Sequence, residues 1–208
     1  RRHCNYKTGS VDARAKLSSW CRIRRPLEEP TRFKVPGNGV GEVLLVRQDK
    51  KKLNDDQEDF LDSLEILEGL TSNLFVIYQD GTIRTAPGKV LPGYARHLIV
   101  EELNRIHSTK SSPPGLQLLQ NLTLDTSNAP TIRDAKNGLW SEVFVTSAIR
   151  LIVPVERVLI PPVGDNDSII LWQSNCNEHC VYPLTCSLLS AIRKNGYKLA
   201  TRRWVHSK

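Results

Sequence analysis

The segment Asn73–Thr85 constrains the fold more than any other part of the sequence. It contains two short runs of apolar and β-branched residues, Asn73–Tyr78 and Thr82–Thr85, with Asp80-Gly81 between them. Residues of this kind favour strands. An Asp-Gly dipeptide favours a tight turn in which both central residues have positive φ. The segment therefore predicts a β-hairpin near the middle of the chain.

Further strands and helices are predicted on both sides of this hairpin. Compact apolar runs indicate strands, and apolar residues that recur every three or four positions indicate helices. The predicted strands are Ser18–Arg25, Glu42–Gln48, Leu116–Leu124, Ser141–Thr146 and Leu151–Ile160. The predicted helices are Tyr94–Ile106, a short one capped by Asn128 that ends at Lys136, and Pro183–Asn195, which Gly196 ends. Strands outnumber helices and both occur throughout, so the fold class is α/β or α+β.

Charged residues are distributed unevenly along the 208 residues. Residues 1–34 carry 10 basic and 3 acidic side chains, residues 35–192 carry 13 and 19, and residues 193–208 carry 6 and none. The Lys- and Asp-rich stretch Asp49–Asp62 is predicted to be a solvated surface insertion. The basic ends suggest nucleic acid as a partner, because Lys and Arg side chains bind its phosphates. No known nucleic-acid motif accompanies them and only 6% of residues are aromatic, which argues against that partner.

The remaining composition excludes other classes. Hydrophobic residues make up 39% of the chain, which is typical of a globular domain. No apolar run approaches the roughly 18 residues of a membrane helix, so no membrane association is expected. Five cysteines, an odd number, indicate a reducing intracellular compartment, either the cytoplasm or an organelle such as a plastid or mitochondrion. Four residues of zinc-binding types lack paired C-x2-C spacing, so free thiols and no metal site are predicted. These are Cys176, His179, Cys180 and Cys186.

Three segments in order carry a more specific pattern. The first joins LEGLTSNLFVIY to DGTIRTAP, the second is VLPGYARHLIVE, and the third is WSEVFVTSAIRLIVPV. Together they resemble the class IV aminotransferases, pyridoxal-phosphate enzymes that include branched-chain and D-amino-acid aminotransferases and aminodeoxychorismate lyase. The resemblance implies the large domain of fold type IV, with a mixed sheet or pseudo-barrel and flanking helices. It predicts a basic lead-in at 1–39, a cofactor-binding domain at 40–195 and a basic tail at 196–208.

The resemblance also implies a lysine that holds pyridoxal 5'-phosphate as a Schiff base. Lys16, in AKLSSWCRIRRPLE, matches this position and is the predicted catalytic residue, which would move a proton between the substrate and the cofactor. The arginines around it would favour the neutral amine if they are close in space. Lys7, in NYKTG, is the alternative because it lies in the same basic lead-in.

The other predicted cofactor ligands lie in the three segments. Glu68 matches the acid beside the pyridine nitrogen, where a carboxylate keeps the ring nitrogen protonated. Asn73 is predicted to be its hydrogen-bonding partner. The phosphate is expected at the start of the helix Tyr94–Ile106 and at the end of the third strand. Its predicted ligands are Gly93, Tyr94, Ala95, Thr146 and Ser147.

The sequence departs from the family pattern at two places. Most members have Ile-Thr where this chain has Tyr94-Ala95, so a hydroxyl group is lost. Members also have a small domain before the lysine segment, whereas only 15 residues precede Lys16, so that domain is predicted to be absent. The leading interpretation is a homodimeric aminotransferase acting on an amino acid and a 2-oxo acid. A lyase of the aminodeoxychorismate type and a non-catalytic subunit of a larger protein assembly are the alternatives.

Overall fold

The computed structural model describes residues 25, 41–48, 60–88, 90–109, 117–160, 168–175 and 182–205, the last ten by backbone only. The strands within these residues are β1 (Leu44–Gln48), β2 (Leu64–Gly69), β3 (Asn73–Tyr78), β4 (Thr82–Arg84), β5 (Thr123–Asp125), β6 (Trp140–Ser147), β7 (Leu151–Pro154), β8 (Arg157–Ile160) and β9 (Ile169–Gln173). The α-helices are α1 (Tyr94–Ser108), α2 (Gln117–Gln120), α3 (Ile132–Lys136) and α4 (Pro183–Val205). A 3-10 turn at Phe60–Ser63 precedes β2.

Strand β3 lies at the centre of a seven-stranded sheet. It pairs antiparallel with β6 along one edge, and with β2 and β4 along the other. β1 pairs with β2 and β7 with β6, both antiparallel, whereas β4 and β5 are parallel. β8 and β9 form a separate antiparallel pair. All six residues of β3 are buried, which explains why its sequence is almost continuously apolar.

Two apolar clusters cover the two faces of β3. Phe75 and Ile77 pack with residues of α1, α2 and α4. Leu74, Val76 and Tyr78 pack with residues of α3, β8 and β9 on the opposite face. The division follows from the two-residue period of a strand. The predicted fold class, a mixed sheet with flanking helices, is confirmed.

The predicted hairpin is present, but its turn differs from the expected type. Gly81 has a φ of +83°, whereas Asp80 lies outside the positive-φ region. The Gly81 N–H donates to Tyr78 O (3.0 Å), and the Thr82 N–H donates to Asp80 Oδ1 (2.8 Å). One left-handed residue is sufficient because the Asp80 side chain bonds to the backbone two residues further on.

The prediction of a single strand at Leu116–Leu124 is wrong. α2 occupies Gln117–Gln120, and β5 begins only at Thr123. Leu119 and Leu122 are both buried in the cluster that contains α1 and α4. Their spacing of three residues places both on one side of a helical turn, which alternation along a strand would not do.

The helix predicted after Asn128 begins later than expected. Thr131 is the N-cap of α3, and its Oγ1 accepts a hydrogen bond from the Asp134 N–H (3.1 Å). Asn128 instead donates from its backbone and its side chain to the Asp125 carboxylate. Thr131 also forms a β-bridge with Glu65 of β2. This bridge keeps the chain extended as far as residue 131.

The predicted strand Leu151–Ile160 is divided into two. β7 ends at Pro154, and the Val155 N–H makes one further bond to Val143 O of β6 (2.8 Å). β8 begins at Arg157 and pairs with β9, a strand that the sequence did not predict. The strand predicted at Ser141–Thr146 is confirmed as β6, with one more residue at each end.

Helix α4 begins at Pro183 as predicted but does not end at Gly196. It continues to Val205. A glycine inside a helix costs about 1 kcal/mol, which is small beside the packing of the first half of α4 against the sheet and α1. The predicted strand Ser18–Arg25 lies outside the described residues except for Arg25, which is helical rather than extended. No helix in the described part of the chain is both long and apolar enough to cross a membrane.

Candidate active site

Asn73 lies where three elements meet. Its backbone pairs with Glu68 on β2 and with Thr146 on β6. Its Nδ2 donates to Glu68 Oε2 (3.2 Å) and to Leu91 O (2.8 Å). Because Asn73 is only 5% exposed, these bonds are shielded from water. Asn73 therefore connects the ends of β2 and β6 to the segment that leads into α1.

The turn between β2 and β3 brings Glu68 and Asn73 opposite one another. The hydroxyls of Thr71 and Ser72 in this turn both donate to Glu42 Oε2 (2.6 and 3.1 Å). These bonds attach the turn to the residues that precede β1. The spacing of five residues in the sequence thus becomes a direct side-chain contact through local structure.

Glu68 is a half-buried carboxyl group with an unusual pKa. Its Oε2 accepts a hydrogen bond from the Leu91 N–H (3.0 Å) in addition to the bond from Asn73. Burial raises the pKa of Glu68 to about 7, although the Leu91 N–H and the positive charge of Arg96 act in the opposite direction. A carboxyl group that titrates near neutral pH is typical of functional sites, since it holds or releases a proton at little cost.

We expect the substitution Glu68→Gln to change how stability depends on pH. The folded state raises the pKa of Glu68 from 4.5 to about 7, so its stabilising contribution is complete below pH 4.5 and is lost as the pH rises through 7. Glutamine resembles the protonated acid and does not titrate. The free energy of unfolding of E68Q should therefore rise relative to the natural protein between about pH 5 and 8, by about 1–2 kcal/mol, a range reduced for the partial exposure of the group. Urea unfolding across this range measures the difference, and parallel curves would contradict the prediction.

The start of α1 lies against Asn73. A Cβ atom added at Gly93 would lie 2.3 Å from Asn73 Oδ1, so only glycine allows this approach. The Gly93 N–H itself donates to Leu91 O (2.8 Å), and it is therefore engaged within the chain rather than open to a phosphate. The first intrahelical bond is donated by the His97 N–H to Gly93 O (3.0 Å). The amides of Tyr94 and Ala95 precede it, with no side-chain cap and no acidic residue in that turn.

The two hydroxyl residues at the end of β6 differ in accessibility. Thr146 is 2% exposed, and its Oγ1 donates a long hydrogen bond to Asn73 O (3.4 Å). Ser147 is half-buried, and its Oγ accepts from the Arg150 N–H (3.2 Å), which leaves its O–H as a donor. Ser147 is thus the more accessible hydroxyl. The turn after β6 places Leu151 at a φ of +58°, a conformation that L-residues other than glycine rarely adopt.

The structure brings together four of the residues predicted from separate segments: Glu68, Asn73, Gly93 and Thr146. Tyr94 and Ser147 adjoin them, and Ala95 is next along α1 with its side chain buried. Lys16 and its alternative Lys7 lie outside the described residues, as do Cys176, His179 and Cys180. Cys186 is a free thiol, and no group of His, Cys, Asp or Glu in the described part of the chain is arranged to hold a metal ion.

Two groups at this site were not predicted from the sequence. The Leu91 amide reaches Glu68, but every residue other than proline carries such a donor, so no pattern marks it. Arg96 lies in the first turn of α1, where a positive charge opposes the helix dipole. That unfavourable position was the signal in the sequence that would have pointed to a nearby negative charge.

No protein-family model matches the chain, and no curated protein matches it. Several solved structures are similar to it. A hypothetical aminotransferase from Mycobacterium tuberculosis, in a PLP-bound form, has a TM-score of 0.49 and 14% identity over 87% of this chain and 46% of its own. A 4-amino-4-deoxychorismate lyase from Pseudomonas aeruginosa has a TM-score of 0.46 and 18% identity over 83% and 46%. A branched-chain amino acid aminotransferase from Escherichia coli has a TM-score of 0.33 and 24% identity over 44% and 26%.

These neighbours are of the class that the three sequence segments resemble, the class IV aminotransferases and aminodeoxychorismate lyases. The similarity is one of backbone fold, since sequence identity is 24% or lower in each case. The chain spans less than half the length of each of these proteins.

Proposed function

We propose that the chain is the cofactor-binding part of a pyridoxal-phosphate enzyme that transfers an amino group between an amino acid and a 2-oxo acid. The observation that supports this proposal is the arrangement around Asn73. It joins a carboxyl group that titrates near pH 7, the uncapped start of a helix and the hydroxyl-bearing end of β6. Three distant segments of the sequence supply these groups.

The chemical character of these groups fits pyridoxal phosphate. When bound, this cofactor supplies an electron sink that stabilises negative charge at the α-carbon of the substrate. Both hydrogen bonds that Glu68 accepts from Asn73 and Leu91 go to Oε2. In the proposal, Oε1 holds the proton at the ring nitrogen. The bonds to Oε2 orient the carboxylate for that role, since they prevent rotation of the side chain.

The phosphate would lie at the start of α1. The amides of Tyr94 and Ala95 point along the helix axis, and the helix dipole favours an anion there. The absence of an acidic residue in the first turn of α1 removes a source of repulsion. Ser147 would donate the additional hydrogen bond, because Thr146 is already closed off by its bond to Asn73. This assignment compensates for the hydroxyl that Ala95 lacks.

Lys16 would provide the amine that binds the cofactor covalently and then moves the proton at the α-carbon. Both tasks require the neutral amine, which neighbouring positive charges favour. A lyase of the aminodeoxychorismate type would use the same residues for its first proton transfer. Transfer and elimination differ only after this step, so a product assay separates them.

Covalent labelling tests the proposal. The protein, expressed as its natural full-length chain, is incubated with pyridoxal phosphate, reduced with borohydride and mapped by mass spectrometry of its peptides. We expect a visible absorption band before reduction and a label on Lys16. K16A should show neither, and K7A should be labelled as the natural protein is.

Each other outcome changes a defined part of the proposal. Label on Lys7 alone would overturn the assignment of Lys16. No label on any lysine would contradict an enzymatic function and favour the non-catalytic subunit. If Lys16 is labelled, release of pyruvate from aminodeoxychorismate without an amino acceptor would identify the lyase instead of the aminotransferase.

A further inference from the structure

Arg96 occupies a position that its own helix makes unfavourable. It lies in the first turn of α1, three residues after Gly93. The amides at a helix start carry partial positive charge, and a cation there is disfavoured by about 0.3–1 kcal/mol. No acidic residue of this turn offsets the repulsion. A negative charge outside the helix would offset this repulsion.

The segment between β4 and α1 connects Arg96 to Glu68. Arg96 Nη2 donates to Ala86 O (3.1 Å) near the beginning of this segment. Glu68 Oε2 accepts from the Leu91 N–H (3.0 Å) near its end. The guanidinium and the carboxylate thus hold the same short loop from its two ends. Arg96 Nε is buried and has no hydrogen-bond partner among the described residues, so the side chain keeps an unused donor.

The charges of the two residues act on one another. Burial is the largest influence on both groups: it raises the pKa of Glu68 and lowers that of Arg96. The positive charge of Arg96 lowers the pKa of Glu68, and the negative charge of Glu68 raises that of Arg96. Within the described residues, the donors that bind the Glu68 carboxyl group are neutral, namely the Asn73 amide and the Leu91 N–H. The carboxylate of Glu42, a residue that precedes β1, accepts hydrogen bonds from the hydroxyls of Thr71 and Ser72 in the turn between β2 and β3.

We propose that Arg96 is a positioning residue of this site, whose guanidinium holds the loop before α1 through Ala86 O and stabilises the negative charge of the Glu68 carboxylate. An ionised Glu68 is the form that would accept a hydrogen bond from the protonated ring nitrogen. This role rests on the proposed function for the identity of the cofactor. The interaction between Arg96 and Glu68 belongs to the cofactor-free protein and can be measured there.

The titration of Glu68 in the cofactor-free protein tests this role. Glutamate labelled with 13C at the carboxyl carbon is followed by NMR from pH 4 to pH 9, and E68Q identifies the resonance. We expect R96M to raise the titration midpoint of Glu68 by about one pH unit, a tenfold change in its proton affinity. R96K retains the charge and should raise the midpoint by less than half of this. R193M, at an exposed arginine of α4, removes the same net charge and should leave the midpoint unchanged.

A second neutral variant is needed in case R96M does not fold. R96Q retains an amide that can donate to Ala86 O, so it loses the charge with less disturbance of the loop. An unchanged midpoint in either neutral variant that unfolds cooperatively would overturn the proposal. An equal shift in R193M would do the same, because the effect would then belong to net charge. Binding of pyridoxal phosphate is measured in a separate experiment. A failure to bind it would contradict the proposed function, whereas the effect of Arg96 on the titration of Glu68 would still stand.

Discussion

Replacement of Glu142 by alanine is expected to lower the free energy of unfolding by about 3 kcal/mol, since three donors lose their acceptor, two of them on the buried Thr185. Glu142 lies on β6 and is 5% exposed. Its carboxylate accepts hydrogen bonds from the N–H of Leu184 (3.0 Å), the N–H of Thr185 (2.9 Å) and Thr185 Oγ1 (2.6 Å). It therefore caps α4, and its negative charge lies at the end of the helix where the dipole favours an anion. Urea unfolding of E142A at pH 7 measures the loss.

Two further variants define this result. E142Q keeps one oxygen as an acceptor but loses the charge, so about half of the loss is expected. E156A removes a carboxylate that is 68% exposed, and a change below about 0.5 kcal/mol is expected for it. Should E142A unfold within about 0.5 kcal/mol of the natural protein, the buried cap would not be important for stability. The effect would also reach the candidate site, because β6 carries both Glu142 and Thr146.

Gly93→Ala is expected to be the most damaging conservative change at the candidate site around Asn73, with a loss of about 2–3 kcal/mol in the free energy of unfolding. The new methyl group would lie 2.3 Å from Asn73 Oδ1, and Asn73 would have to move. Movement of Asn73 breaks its part-buried bonds to Glu68 and Leu91. Urea unfolding measures the stability, and the titration of Glu68 reports whether the carboxyl group has lost its partner.

A double-mutant cycle with Asn73→Ala separates this clash from a general effect of alanine at the helix start. Asn73→Ala removes the atom that Gly93→Ala would meet, so the methyl group should cost at least about 1 kcal/mol less in the N73A background. Equal costs in both backgrounds would show that Asn73 is not the obstacle. The Leu91 carbonyl accepts from Gly93 N–H as well as from Asn73, so N73A leaves the entry to α1 partly held.

Local patterns correctly predicted the parts of the site that lie close together in the sequence. The hairpin of β3 and β4 follows from strand periodicity and turn residues. The pairing of Glu68 with Asn73 across a short turn was implied by the family resemblance, and the two residues do face each other. Prediction was wrong where a long-range contact decided the conformation. Residues 117–120 are helical rather than extended because Leu119 in this helix and Leu122 just after it both enter the core with α1 and α4. Thr131 rather than Asn128 caps α3, because a bridge to Glu65 keeps the chain extended up to that point.

The resemblance to the family indicated Glu68 as the acid of a candidate cofactor site. The sequence by itself determined that Asn73–Tyr78 is a strand leading into a tight turn and that a helix begins after Gly93. These depend on the order of residues along one segment. Only the tertiary structure decided that Asn73 binds Leu91, that Gly93 lies against Asn73, and that Arg96 acts on Glu68. The physical reason is that such contacts, and the raised pKa of Glu68, arise from burial by segments far apart in the chain.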